Sequence, residues 1–293
     1  MLKKILSVAI FAITTQAMAA GDSSPHQMSP EEFMAQLHFQ TGKITLPDNL
    51  ATLDMPPSFR YLPPADAKRL LTEGWGNPPD DKSLGMIVPA DIDPMSKDGW
   101  AVDIEYDKDG HVKDDDANTI DYAKMLKDMQ EGIADENPER KKQGYPELNL
   151  IGWAEQPTYD AQAHKLYWAK EIRFADTPEN TLNYNVRVLG RKGVLVLNAI
   201  SSIKQIGQIK SEMKTVTAFT EFTPGNRYND FDSSTDKVAE YGIAALVAGG
   251  VAAKLGLFGK LLAVLIAAKK IIFVAVAGAF GWIAKLFKGK RAE

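Results

Sequence analysis

The amino-acid sequence changes character at Glu240. From Tyr241 to Ala292 it has no acidic residue, and up to Ala284 it is built mostly of Ala, Gly, Val, Leu, Ile and Phe, with Lys254, Lys260, Lys269 and Lys270 as its charges. A stretch this apolar cannot form the ordinary surface of a water-soluble fold, so the chain must have two parts with different surroundings. Charge divides them too. Residues 20–240 carry 24 basic against 37 acidic side chains, a net of −13, whereas residues 241–293 carry +7. The overall −4 conceals this opposition.

The longest uncharged run, Ile271 to Ala284, has 14 residues. As a helix it spans about 21 Å, short of a hydrocarbon core of about 30 Å. Leu286 and Phe287 extend it, and lysines at both ends can reach the headgroups. A single transmembrane helix over Ile271–Phe287 is therefore expected, with the basic tail cytoplasmic by the positive-inside bias. A crossing at Ile243–Ala268 would put Lys254 near mid-bilayer at about 2.5–3.5 kcal/mol. Residues 241–268 are instead expected to form an Ala/Gly-rich membrane-associated helix. Ala245, Gly249 and Ala253 make one small-residue stripe and Ala248, Ala252 and Gly256 another. Such stripes permit close helix–helix approach and hence oligomerisation, while a plain interfacial helix is the alternative.

The N-terminus has the three-part layout of a secretory signal peptide over residues 1–19. Lys3 and Lys4 precede a short apolar run, and Ala17-Met18-Ala19 forms a small-residue cleavage site. The main domain, residues 20–240, is thus expected outside the cytoplasm, at the bacterial inner membrane. With no cysteine in the chain, its core alone must hold it, and thiol chemistry and cysteine-based zinc sites are excluded.

Within the domain, Ser29-Pro30-Glu31-Glu32 reads as a capping box opening a short helix over about 30–40. Short strands follow at 43–46, 49–53, 58–62 and 84–88, with a helix at 65–72. Trp100, Val102, Ile104 and Tyr106 alternate with Ala101, Asp103 and Glu105, the pattern of a half-buried strand. The spacing predicts a helix over 117–132, then strands at 147–155, 165–174, 181–189 and 193–199, the last two joined by a Gly190–Gly193 hairpin turn. An amphipathic helix at 202–216, with Ile203, Ile206, Ile209, Met213 and Val216 apolar, can cover one sheet face. The fold class expected is α+β: an antiparallel sheet with packed helices, plus the C-terminal transmembrane helix.

One stretch invites a chemical reading. Glu105, Asp107, Asp109, Gly110, Val112 and Asp116 fall at the spacing of a calcium-binding EF-hand loop. The residues before it alternate like a strand, however, and Glu and Asp stand at the first and twelfth positions. Asp107–Gly110 then reads as a hairpin turn and Asp114–Asp116 as a cap on the following helix. Binding of a divalent ion by Asp107, Asp109 and Asp116 stays open as the alternative.

His26, His38, His111 and His164 lack any paired ligand spacing. Ser201–Lys204 and Ser211–Lys214 match a serine–lysine pattern without the companion motifs that it requires. Trp153, Trp168, Tyr167, Tyr184, Asn183, Asn185, Asn198, Arg173, Arg187 and Arg191 crowd the hairpins. They could form a sugar- or peptide-binding face, or else a core with its solvated reverse. No cofactor or metal is expected, no catalytic residue is assigned, and the acidic domain argues against nucleic acid.

Taken together, GWGNPPDD, LGMIVP, the tract from Trp100 to Ala117, GWAEQPTYD, KLYWAKEIRF, TLNYNVRVLGRKGVLVLN and TPGNRYNDFD resemble a bacterial family of predicted membrane-anchored proteins of unknown function (domain of unknown function family 2167). The resemblance implies export and anchoring and supplies no activity or site residue. The expected role is a non-catalytic envelope interaction protein with the membrane and an envelope protein or glycan as partners. Two alternatives are a hydrolase of envelope substrates, using Asp114–Asp116 with Arg187 or Arg227, and a calcium-dependent binding module.

Overall fold

Seven alternating segments build the central sheet of the computed structural model, which describes residues 28–77, 79 and 81–248. In spatial order they are β3 (Phe59–Leu62), β4 (Met86–Pro89), β5 (Ala101–Asp107), β10 (Val194–Ser202), β9 (Thr181–Leu189), β8 (Lys165–Phe174) and β7 (Leu148–Asp160). Every neighbouring pair is antiparallel. The α+β class with antiparallel sheets is therefore established. The expected signal peptide, the span at 271–287 and the basic tail lie outside the described residues. Among those described, no helix is long and apolar enough to cross a membrane.

One sheet face is largely apolar. Val102, Ile104, Tyr184, Val186, Leu195, Leu197 and Ala199 pack against Ile209, Met213 and Val216 of α4 (Ile206–Ala218). These three helix residues, four and three apart, form one stripe, as the amphipathic pattern required. A three-stranded sheet of β1 (Lys43–Thr45), β2 (Ala51–Asp54) and β11 (Thr220–Phe222) adds Ala51, Leu53 and Phe222 to this core.

The other face is covered in three separate places. Near β3 and β4, α1 (Pro30–Ala35) and α2 (Pro64–Arg69) bury Phe33, Leu37, Ala67 and Leu70 against Leu62, Met86, Val88, Ala101 and Ile200. Both halves of the Ser29–Glu32 capping box are formed. At the opposite edge, α3 (Tyr122–Lys142) packs Leu126, Met129 and Ile133 on Leu148, Leu150, Ile172 and Phe174. Gln130 Nε2 donates to the Leu150 carbonyl at 3.0 Å, and the Asn137 amide both gives to and takes from the Leu148 backbone. These side chains satisfy the start of the outer edge of β7, Leu148 to Ile151, which would otherwise be open to pairing.

The third cover comes from sequence that was expected to do something else. β6 (His111–Lys113) pairs in parallel with β12 (Val238–Gly242), and α5 (Ile243–Ala248) follows directly. Val112, Ile243, Leu246 and Val247 pack with Leu166, Trp168, Leu189 and Val194. Asp107–Gly110 is accordingly no hairpin turn. β5 and β6 do not pair with each other, although Gly110 does take the positive φ, +116°, that the turn reading asked for. The following helix starts at Tyr122 rather than Ala117 and is capped by Asp121, whose Oδ1 accepts from the Ala123 and Lys124 amides. Ala117 and Ile120 are drawn into the third cover instead, which delays the helix.

Candidate functional site

The acid-rich stretch fastens the end of the domain. Asp116 Oδ1 accepts from the Ile243 amide at 2.8 Å and Oδ2 from the Ala244 amide at 3.1 Å. It thus caps α5, a helix 127 residues away in sequence. Tyr241 Oη donates to Asp109 Oδ2 at 2.9 Å. Gly242 makes the capping possible, because a Cβ there would meet the Asp116 carboxylate at 2.5 Å. The domain therefore continues through Val247.

Asp114 takes a different partner. Tyr159 Oη donates to its Oδ2 at 2.7 Å, and the Tyr228 hydroxyl stands 3.4 Å from its Oδ1. Burial and the Asp114 carboxylate raise both phenols, Tyr228 to about 12. His164, Tyr228, His111 and Phe231 stack in that order, with ring centroids 4.0, 4.3 and 4.0 Å apart. Two histidines far apart in the chain are joined through Tyr228, a contact that spacing could not show. Burial lowers the pKa of His111.

The acids once aligned as a metal loop are thus spread over separate tasks. Glu105 and Asp107 lie on β5, Asp109 serves Tyr241, and Asp114 and Asp116 serve the ring stack and α5. Among the described residues no group of three or more His, Asp or Glu side chains is placed to hold a metal ion. The candidate hydrolytic arginines are equally separate. The Arg227 backbone amide donates to Asp230 Oδ2 at 2.9 Å in a turn, and Arg187 lies on β9. Arg191, which is not among those candidates, pairs with Asp236 at 2.6 Å, which holds that carboxyl near 2.

Arg187 lies at the centre of the sheet's second face, between the three covers. Cross-strand register places side chains there in rows running β8–β9–β10–β5. Lys170 faces Asn183 and Ile200; Trp168 faces Asn185, Asn198 and Asp103; Leu166 faces Arg187, Val196 and Glu105. Trp153 on β7 is opposite Lys170. Most of this floor is polar and yet buried: Lys170 is 5% exposed, Asn183 and Asn185 3% each. The Arg187 guanidinium lies 4.9 Å over the Trp168 ring. Desolvation lowers the pKa of Arg187, opposed by Asp107 and Glu105. Desolvation, with Arg187 adding to it, pushes Lys170 down to about 8.

Of the residues crowding the hairpins, Trp153, Trp168, Asn183, Asn185, Asn198 and Arg187 therefore do share a face, while Tyr167 and Tyr184 belong to the apolar core on the other. The polar reverse is not solvated. Lys170, its central cation, was missed because a lysine inside an alternating strand looks like an ordinary exposed position.

The architecture is that of an α+β domain with one largely apolar sheet face and one polar-centred face, closed by β12 and α5. The chain belongs to the family described as "Protein of unknown function (DUF2167)", whose match covers residues 38–280. No protein of curated function matches the chain at a significant level. Among solved structures, the cyanobacterial PsbP (CyanoP) of Synechocystis sp. PCC 6803 aligns at 9% identity and a TM-score of 0.36, covering 69% of this chain and 98% of its own. The Ran-binding protein Mog1p of Saccharomyces cerevisiae gives 9% and 0.34, covering 67% and 100%. LpqN of Mycobacterium tuberculosis, involved in cell envelope biogenesis, gives 17% and 0.31, covering 69% and 100%. Superpositions this partial carry no argument about role.

Proposed function

We propose that this chain is an exported, membrane-attached interaction domain of the bacterial envelope, non-catalytic, facing the periplasm and holding an envelope protein or glycan. The observation that carries this reading is the use made of the acids. Asp109 and Asp116, which a calcium module would need and of which a hydrolase would also use Asp116, are spent on fixing β12 and α5 to the domain. A domain fastened up to the residue where its apolar tail begins is built to be held at a surface. The opposed charges of domain and tail fit an acidic exported part and a basic cytoplasmic end.

Intact protein in its native membrane provides the test. Protease added outside the inner membrane of spheroplasts should degrade the domain, and photocrosslinkers on its surface should recover a defined envelope protein or glycan. A domain that is protected from the protease, or released from the membrane by salt alone, would refute the reading.

A further inference from the structure

We propose that the centre of the polar sheet face is an oxyanion-binding site centred on the Lys170 ammonium, receiving the carboxylate or phosphate group of a ligand.

The direction of the hydrogen bonds on this floor is the first argument. Arg187 can only donate, so the Asn185 amide must turn its oxygen towards it, at a long 3.5 Å. Asn185 Nδ2 is then committed to Asn183 Oδ1 at 2.8 Å, and Asn183 Nδ2 to Asn198 Oδ1 at 2.7 Å. Each amide oxygen in the row thus accepts a hydrogen bond, and the relay ends on the Asn198 NH2 group, opposite Asp103 on β5. The Trp168 indole N–H, on the same face, is buried without a partner. Lys170 Nζ forms no hydrogen bond or ion pair among the described residues. Around Lys170 the unmatched groups are donors, its own ammonium and the Trp168 indole N–H, whereas the carboxylates of this face, Asp103 and Glu105, stand on β5 three strands away; the complement to the Lys170 end is a ligand rich in acceptors.

Charge decides what kind of acceptor. A buried ammonium ordinarily has a carboxylate beside it, but the charge acting on Lys170 is the like-signed Arg187. Asp103 stands three strands away on β5, about 14 Å at the usual strand spacing, and is engaged by the Ser83 hydroxyl at 2.6 Å. At that distance it cannot serve as the counter-ion. A lysine whose stem is buried and whose head merely reaches water would account for Lys170 alone. It leaves the buried Trp168 N–H on the same face without explanation. An oxyanion on Lys170 supplies the counter-charge and the acceptor that this end of the floor lacks.

The site goes beyond the envelope role and is tested separately from it, by thermal unfolding of the intact protein in detergent with inorganic phosphate or sodium acetate, against chloride at equal ionic strength. At a hundredfold excess over Kd the melting temperature should rise by about 5 °C or more. Lys170→Met should melt at or above the wild-type temperature without the anion and show no anion-dependent rise. A response to phosphate alone makes the ligand a phosphoryl compound, and a response to both makes it any oxyanion. The proposal is overturned if wild type shows no rise beyond chloride, or if Lys170→Met rises equally. Should that variant fail to fold, wild-type protein with 13C-methylated lysines decides. The Lys170 resonance must shift, and its titration midpoint climb, when phosphate or acetate is added; an unmoved resonance overturns the proposal.

Discussion

The two faces of the central sheet are made from the same strands, yet they solve burial in opposite ways. On one, Leu195, Leu197, Val186, Ile104 and their neighbours pack on α4, with polar contacts towards β7 and β8, where Lys165 donates to the Thr217 carbonyl and Glu155 pairs with Lys210. On the other, three apolar covers surround a floor of Lys170, Arg187 and three asparagines. The apolar face can be understood from packing alone. The polar one cannot, because each buried donor there costs stability unless something accepts from it. Stability should therefore reside on the first face and specificity on the second. The sharpest way to break this contrast is Leu197→Ala. Leu197 is fully buried opposite Ile104 and Val186, so the variant should lose about 2–5 kcal/mol in denaturant unfolding. A loss below about 1 kcal/mol would mean that the apolar face is not where the fold is held.

On the polar face the sign reverses. Lys170 has a native pKa of about 8 against an ordinary 10.5. Below pH 8 the group is protonated in native and unfolded chains alike, and the native state bears the full cost of burying the charge. Between about 8 and 10.5 the unfolded chain holds the proton that the native chain has released, so wild-type stability rises with pH across that window. The gap corresponds to on the order of 3 kcal/mol at neutral pH. Lys170→Met should accordingly be more stable than wild type by roughly 1–3 kcal/mol at pH 7, with the advantage shrinking as pH passes from 8 to 10.5. Chemical unfolding at pH 7 and at pH 10 measures both arms. A variant less stable than wild type at pH 7 would place Lys170 among the stabilising residues and remove the distinction between the faces.

How far each face could be read from the sequence follows the same division. The strands of the main sheet and α4 were legible because their apolar residues recur at periods of two and of three to four, and those periods report burial directly. α3 was legible only in part. Gly132 looked like its end, but the helix runs on through Pro138 because Ile133, Asn137 and Arg140 find partners on and beside β7. The Gly190–Gly193 turn lies where it was expected, for another reason. Neither glycine needs a positive φ; a Cβ at Gly190 would strike the Phe222 ring, and one at Gly193 the Asp107 carbonyl. β6 and β12 were not legible at all, being a parallel pair more than a hundred residues apart in sequence. The polar floor was half legible. Its asparagines and tryptophans were noticed as a group, but that they share a buried face depends on cross-strand register.

Asp116 closes the third cover of the polar face, and the smallest effect is expected there. Asp116 acts as a cap supplied from a distance, taking the first two amides of α5. Asp116→Ala should cost about 1 kcal/mol, seen first as faster amide exchange in residues 238–248 while the β8–β9–β10 amides stay protected. Gly242, at the position where a helix normally carries its own cap, makes a stronger test. Gly242→Ser in the wild-type protein drives a side chain into the Asp116 carboxylate and should destabilise α5. In the Asp116→Ala background the same serine enters vacated space and offers its own oxygen to the α5 amides. The two substitutions should therefore compensate, the double variant exchanging more slowly in residues 238–248 than either single one. Simple addition of the two losses would show that α5 is held by Ile243, Leu246 and Val247 alone, and that this cover needs no cap.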